Sequence, residues 1–226
     1  MIKAIFFDVD NTLYGEKAAH AVAWEKVKAC VEENLGVSPE RWEALCGSQA
    51  ALLHREVGNK AATHNRALRF LRVLEQENLP LRYAGLLNRL YWDTLLAHAR
   101  PEPGVRECLR KLKQAGYFLG VGSNMTLDWQ LAKLERLELL EYFSLVLTSE
   151  EAGTEKPDAA FFQVCARKAG VEPEEVLFIG DSLELDVRGA ENAGMQALWY
   201  APGRGDCGDI PGFSHYCQLQ NWIPMV

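Results

Sequence analysis

Asp8 and Asp10 stand two residues apart, directly after the apolar run Ala4-Ile5-Phe6-Phe7. If that run is a buried strand, both carboxylates emerge where the strand ends and the chain turns. A carboxylate can be a nucleophile, a metal ligand or a general acid/base, and two held close together can divide those tasks. Asp and Asn are also favoured in turns, so Asp8-Val9-Asp10-Asn11-Thr12 taken alone describes an acidic strand end equally well. Other polar residues have the same placement. Ser123 and Asn124 follow the apolar run 118–122, Lys156 lies in the loop after 145–148, and Asp181 and Ser182 follow 176–180, with Asp186 shortly beyond. Singly, each is a turn former or a solvated charge; jointly they offer a nucleophile, a hydroxyl, a cation and further acids.

The elements that must position these residues show as an alternation. The runs at 4–7, 118–122, 145–148, 176–180 and 197–200 are almost continuously apolar and rich in β-branched and aromatic residues, as strands buried on both faces are. Between them, residues 105–115 place Val105, Cys108, Leu109 and Leu112 on one helical face, with Gly116 as a stop. Residues 159–169 and 187–193 also read as helices, each closed by a glycine, Gly170 or Gly194. Strands alternating with helices predict parallel βαβ units and an α/β fold, a doubly wound parallel sheet. Such a sheet binds ligands beyond the carboxyl ends of its strands, near the point where strand order reverses. The polar residues would therefore converge in space.

Residues 14–99 break the rhythm. Helical spacing runs over 17–35, with Ala21, Trp24, Val27, Lys28 and Val31 on one stripe, and Ser38-Pro39-Glu40 is a start signal for the next helix. Helical patterning continues over 65–77 and 81–98, with Leu86, Leu90 and Leu87, Tyr91 as i,i+4 pairs. The expected organisation is an α/β core of residues 1–13 and 100–226 interrupted by an all-helical cap of residues 14–99. Pro101-Glu102-Pro103-Gly104 marks the return to the core.

Composition narrows the classes of partner. A formal charge of −7 over 226 residues argues against a general nucleic-acid backbone binder, which needs a basic face. A small anionic substrate stays compatible, because one local cation or a metal overrides the overall charge. The opening apolar stretch is cut short by Asp8, too early for a signal peptide. No later stretch reaches the ~18 uninterrupted apolar residues of a membrane span. A cytoplasmic protein without a membrane partner is expected, as a monomer or weak homodimer. Cys30, Cys46, Cys108, Cys165, Cys207 and Cys217 have no paired spacing and read as reduced thiols. For the same reason Cys207, His215 and Cys217, with Asp206 and Asp209, are a poor zinc cluster.

The motifs Asp8-Val9-Asp10-Asn11-Thr12, Ser123-Asn124, Lys156-Pro157-Asp158 and Gly180-Asp181-Ser182 followed by Asp186 resemble, in order and type, the four motifs of the haloacid dehalogenase-like (HAD) hydrolase superfamily. The helical insert after the first motif is similar to the branch whose cap lies between the first and second motifs. The likeness covers residues 1 to about 200 and is weakest in the cap. One departure is Leu185, where the family often has Asn before its final Asp.

The resemblance implies a Rossmann-like core and phosphoryl chemistry. Asp8 would attack phosphorus and form an aspartyl-phosphate, and Asp10 would protonate the leaving oxygen and then deprotonate the attacking water. Mg2+ would be held by Asp8, Asp181 and the main-chain carbonyl of Asp10. Ser123 would bond a phosphoryl oxygen and Lys156 balance charge, while Asn124 and Thr12 would shape the loops or donate to the phosphoryl group. Ser182 and Asp186 would support these groups; Asp186 has three open roles, binding metal through water, orienting Lys156, or capping the following helix.

Asp10 also bears on the activity, since the haloacid dehalogenases lack an Asp at that position and a departing halide needs no proton. The expected substrate is a small phosphorylated metabolite, a nucleoside monophosphate or a sugar phosphate. Alternatives are a phosphomutase, a dehalogenase, a non-catalytic binder of phosphorylated ligands, or a phosphonatase using a cap lysine such as Lys17, Lys26, Lys28 or Lys60. Substrate choice would lie in the cap, where His20, Trp24, His54, Arg55, Lys60, His64 and Arg66 could contact a sugar, a base or a second anion.

Overall fold

The computed structural model describes residues 1–204 and 208–224, so Asp206 and Cys207 lie outside the described residues. Strands β1 (Ala4–Phe7), β2 (Phe118–Ser123), β3 (Leu145–Thr148), β4 (Val176–Gly180), β5 (Gln196–Tyr200) and β6 (Gly212–Phe213) form one parallel sheet in the order β3-β2-β1-β4-β5-β6. The chain divides into two compact units, Met1–Gly15 with Arg100–Val226, and Glu16–Ala99.

The unit Glu16–Ala99 is helical, with α1 (Glu16–Leu35), α2 (Pro39–Val57), α3 (Arg66–Gln76) and α4 (Tyr83–His98). Its second helix starts as the sequence indicates: the Ser38 hydroxyl accepts from the Arg41 N–H, and Pro39 opens the first turn. The buried stripe of α1 is Ala19, Ala23, Val27 and Val31, whereas Ala21 is exposed and Lys28 half-buried. Apolar spacing alone favours the larger Trp24; the small side chains of Ala19 and Ala23 suit close packing between α1 and α4, which touch extensively. On α4 the pair Leu87 and Tyr91 is buried and Leu86 is exposed.

The other unit holds the sheet and its flanking helices: α5 (Val105–Gln114), α6 (Leu127–Arg136), α7 (Ser149–Ala152), α8 (Ala159–Ala169) and α9 (Gly189–Asn192). Tyr14, which sequence reading assigns to the cap, is fully buried in this unit and bridges Asp10 and Pro101. The expected helix over 187–193 begins earlier, as a π-helical turn, Leu183–Arg188, that leads into α9. Strand β6 is too short to carry a periodic signal and pairs with β5 at the edge of the sheet. Among the described residues no helix is long and apolar enough to cross a membrane.

The sheet is buried as its sequence requires. Every residue of β1 and β4 is buried, and Phe6, Phe161, Phe162, Phe178 and Trp199 share one apolar cluster. Gly120 on β2 makes room for it: a Cβ there would lie 2.5 Å from the Phe6 ring. Gly120→Ala is therefore expected to overpack the sheet and cost about 1–3 kcal/mol, read as a lower urea midpoint at unchanged slope; an unchanged midpoint would show that the ring moves freely.

Candidate active site

Strand β1 has β2 on one side and β4 on the other, so strand order reverses there, and β2, β1 and β4 deliver their carboxyl ends to one crevice. Asp8 follows β1, Ser123 ends β2 and Asp181 follows β4. The Asp8 N–H donates to the Ile179 carbonyl at 2.8 Å, which ties the first residue past β1 to its neighbouring strand. Asn11 then turns the chain with φ 59°, a left-handed conformation that Asn tolerates.

At the centre is the Lys156 ammonium, 4% exposed, which donates at 2.7 Å to Asp8 Oδ1 and at 2.7 Å to Asp186 Oδ1. Asp186 is 2% exposed, and its Oδ2 accepts from the Ser182 N–H at 2.9 Å. It packs against the end of β4 because residue 180 is glycine; a Cβ on Gly180 would fall 2.3 Å from the Asp186 carboxyl carbon. Of the three open roles for Asp186, the structure shows it on Lys156. Asn124 fixes the lysine's main chain, its Oδ1 accepting from the Lys156 N–H at 2.9 Å and its Nδ2 donating to the Lys156 carbonyl at 3.0 Å. These two bonds shape the loop that carries Lys156.

Asp10 has a separate set of partners. Lys133, 1% exposed on α6, donates to Asp10 Oδ1 at 2.6 Å and Oδ2 at 2.9 Å. The Tyr14 hydroxyl donates to Oδ1 at 2.6 Å, and Gln130 Nε2 to Oδ2 at 3.2 Å and to Ser123 Oγ at 2.7 Å. Because Ser123 accepts from Gln130, its own O–H stays available as a donor. Sequence reading missed Lys133, Gln130 and Tyr14. Gln130 and Lys133 lie three apart on α6 and share its buried face with Leu134, an unusual place for polar side chains that only the docking of the helix reveals. Thr12 is fully buried with an unpartnered hydroxyl, and its carbonyl accepts from the Tyr216 hydroxyl at 2.8 Å.

The two carboxylates of the first motif are driven in opposite directions. Burial raises the Asp8 carboxyl to about 7, only partly opposed by Lys156, with the charges of Asp186 and Asp10 adding to the rise. Burial also acts on Asp10, but Lys133 with the Tyr14 and Gln130 hydrogen bonds outweighs it and holds Asp10 below the ordinary carboxylate range. Lys156 stays protonated, its ammonium favoured by Asp186 and Asp8 against the cost of burial.

Asp8, Asp181 and Asp186 offer carboxylate oxygens that all lie within 4.8 Å of one another. Asp181 is raised to about 6 by burial and by the charge of Asp186. Three hard oxygen donors around a single buried cation, two of them reluctant to ionise, fit a divalent cation of the Mg2+ type. The Asp10 carboxylate is outside this group, so a contribution from Asp10 would have to come from its carbonyl.

Residues 2–194 match the family of haloacid dehalogenase-like hydrolases. The chain belongs to the HAD-like hydrolase family. It is similar to a ribulose-1,5-bisphosphate 5-phosphatase of Halopiger xanaduensis, 34% identical over 89% of this chain and 86% of that protein. A glyceraldehyde 3-phosphate phosphatase of Methanopyrus kandleri is 36% identical over 90% and 86%. Among solved structures, one named a 2-haloacid dehalogenase from Pseudomonas syringae superposes with a TM-score of 0.77, at 27% identity over 98% of this chain and 97% of that one.

The raised carboxyls of this HAD-like site make its stability depend on pH and cation together. Groups whose folded pKa is raised, to about 7 at Asp8 and about 6 at Asp181, stabilise below the ordinary carboxylate pKa of 3.8 and lose that contribution as pH rises through 6 to 7. A bound cation replaces the lost protons and must compete with them at low pH. Added Mg2+ is thus expected to raise the Tm of chelator-treated protein more at pH 8 than at pH 5; an equal or larger rise at pH 5 would contradict the assignment.

Proposed function

We propose that this protein is a Mg2+-dependent phosphomonoesterase acting on a small sugar phosphate or nucleoside monophosphate through an aspartyl-phosphate on Asp8. The single observation that carries the reading is Asp10, a second carboxylate anchored apart from the acidic trio by Lys133, Tyr14 and Gln130. An alkoxide leaving from phosphorus needs a proton, and a halide does not. A group of this kind is superfluous for dehalogenation and for simple binding. The names of the two phosphatase relatives support the sugar-phosphate class.

In this reading Asp8, aligned by Lys156, attacks phosphorus while the ester P–O bond breaks. Asp10 gives its proton to the departing oxygen. It then takes a proton from a water whose oxygen attacks the phosphoryl group, which frees Asp8 and releases phosphate. Asp10 is held ionised in the absence of substrate, ready for the second of these tasks. An arriving phosphate dianion favours its protonated form by like charge, which prepares it for the first. Ser123 and Lys156 offer donors to phosphoryl oxygens. Mg2+ held by Asp8, Asp181 and Asp186, with the Asp10 carbonyl, would offset the charge of nucleophile and substrate. Among the cap lysines, Lys28 is unsuited to a Schiff base, because its hydrogen bond to Glu25 keeps it protonated. We assign substrate discrimination to the helical unit.

Leaving groups test the division of labour. Asp8→Asn is expected to abolish turnover of both an alkyl phosphate and 4-nitrophenyl phosphate. Asp10→Asn is expected to lower kcat for the alkyl ester by about 10²–10⁴ and much less for the nitrophenyl ester, whose leaving group needs little protonation. Lys133→Met should follow Asp10→Asn in the same split, with partial recovery in Lys133→Arg. Equal losses on the two esters would mean that Lys133 supports only the fold; full activity of Asp8→Asn would refute the nucleophile.

A further inference from the structure

The helical unit carries two neighbouring arginines whose charge no carboxylate among the described residues compensates. Arg66 and Arg69 lie three apart in the first turn of α3, on one side of the helix. The Arg66 guanidinium sits 4.0 Å from the centroid of the Tyr91 ring and 5.6 Å from that of Trp92. Arg69 donates one N–H to the Thr63 carbonyl at 3.1 Å. The Nε atoms of both are buried and without a hydrogen-bond partner. No carboxylate among the described residues lies in ion-pair range of either, although other arginines of the unit are paired, Arg41 with Glu77 and Arg72 with Glu56. Next to them, His20 Nδ1 and the Tyr91 hydroxyl are 2.7 Å apart, and the His20 ring stacks on Trp24.

Stability alone does not account for this arrangement. Two cations at the amino end of a helix meet the positive pole of its dipole and each other. Burial and mutual repulsion lower the Arg69 pKa, and burial with both guanidinium groups keeps His20 below the usual imidazole range. An aromatic ring under a guanidinium holds its plane while leaving the N–H edge free for a bidentate partner. In a chain of net charge −7, unpaired half-buried arginines are a costly local exception.

We propose that Arg66 and Arg69, flanked by His20 and Tyr91, form an anion-binding site in the helical unit for a phosphate or carboxylate group. Fork-shaped donors on a stacked guanidinium suit the planar or tetrahedral oxygens of either group, and His20 contributes a further polar atom. The occupant is either a second anionic group of the phosphorylated metabolite or a free anion, and in the first case the proposal rests on the phosphatase reading.

The test uses the full chain with Arg66→Gln and Arg69→Gln as variants and two readouts. In the first, the increase in Tm produced by sodium sulfate is compared; sulfate at the Asp8 site contributes equally to all three proteins, so the difference reports the arginines. Both variants are expected to lose part of the increment. In the second, KM is measured with Mg2+ for a pentose bisphosphate, the matching monophosphate and 4-nitrophenyl phosphate. If the occupant is the substrate's second anion, KM for the bisphosphate rises about tenfold or more in either variant, a loss of about 1.4 kcal/mol, while the other two change little. A lost sulfate increment with unchanged KM values assigns the site to a free anion. Wild-type increments and wild-type KM values in both variants would overturn the proposal. Absence of any phosphatase activity in the wild type would overturn the phosphatase reading alone, since the sulfate readout needs no turnover.

Discussion

An ammonium buried between two carboxylates is the constraint on which the site depends. Removing Lys156 from water is costly, and two 2.7 Å contacts to Asp8 and Asp186 offset that cost only while all three groups keep their places. Breaking such a pair from one side typically costs about 3–5 kcal/mol. The surroundings are built accordingly: Asn124 grips the lysine's main chain, the Ser182 N–H holds the far oxygen of Asp186, and Gly180 leaves the space that Asp186 fills. Among the described residues the lysine's bond goes to Asp8 Oδ1, and Oδ2 accepts no hydrogen bond, which is the condition a nucleophilic or cation-binding oxygen needs.

A second buried lysine separates the roles of the two aspartates. Burial raises the Asp8 carboxyl against the pull of Lys156, and the charges of Asp186 and Asp10 add to the rise. Asp10 has Lys133 on both oxygens with Tyr14 and Gln130 in support, and is lowered. Two carboxylates two residues apart thereby acquire opposite tendencies from their surroundings, the general means by which one residue type supplies different catalytic functions. Asp8, Asp181 and Asp186 are grouped so that they could hold a cation, and the anchored Asp10 carboxylate stands outside that trio.

Much of this was legible in the sequence because the signals were local. Continuous apolar runs gave β1 to β5, and a polar residue at each strand end is a spatial cluster once the sheet is parallel. The convergence of Asp8, Ser123, Lys156 and Asp181 follows from topology alone. What stayed hidden depended on tertiary contact. Lys133 and Gln130 read as ordinary surface residues of a helix until α6 is docked with that face inward. Tyr14 reads as the first residue of the insert until its burial against Asp10 and Pro101 is seen. The role of Asp186 was open because a carboxylate near a helix start has several uses, and the 2.7 Å contact to Lys156 shows one of them. The stripe on α1 was misplaced because small alanines, which mark close helix contacts, carry little hydrophobic signal.

The central claim is that Asp8 becomes covalently phosphorylated during turnover. The most direct measurement is mass analysis of the peptide containing Asp8 after acid quenching of the enzyme in steady state with a phosphate monoester and Mg2+. A fraction of that peptide is expected to carry the mass of one phosphoryl group, located on Asp8, and absent from Asp8→Asn. Turnover at full rate with no phosphorylated peptide, or with the phosphoryl group on another residue, would contradict it.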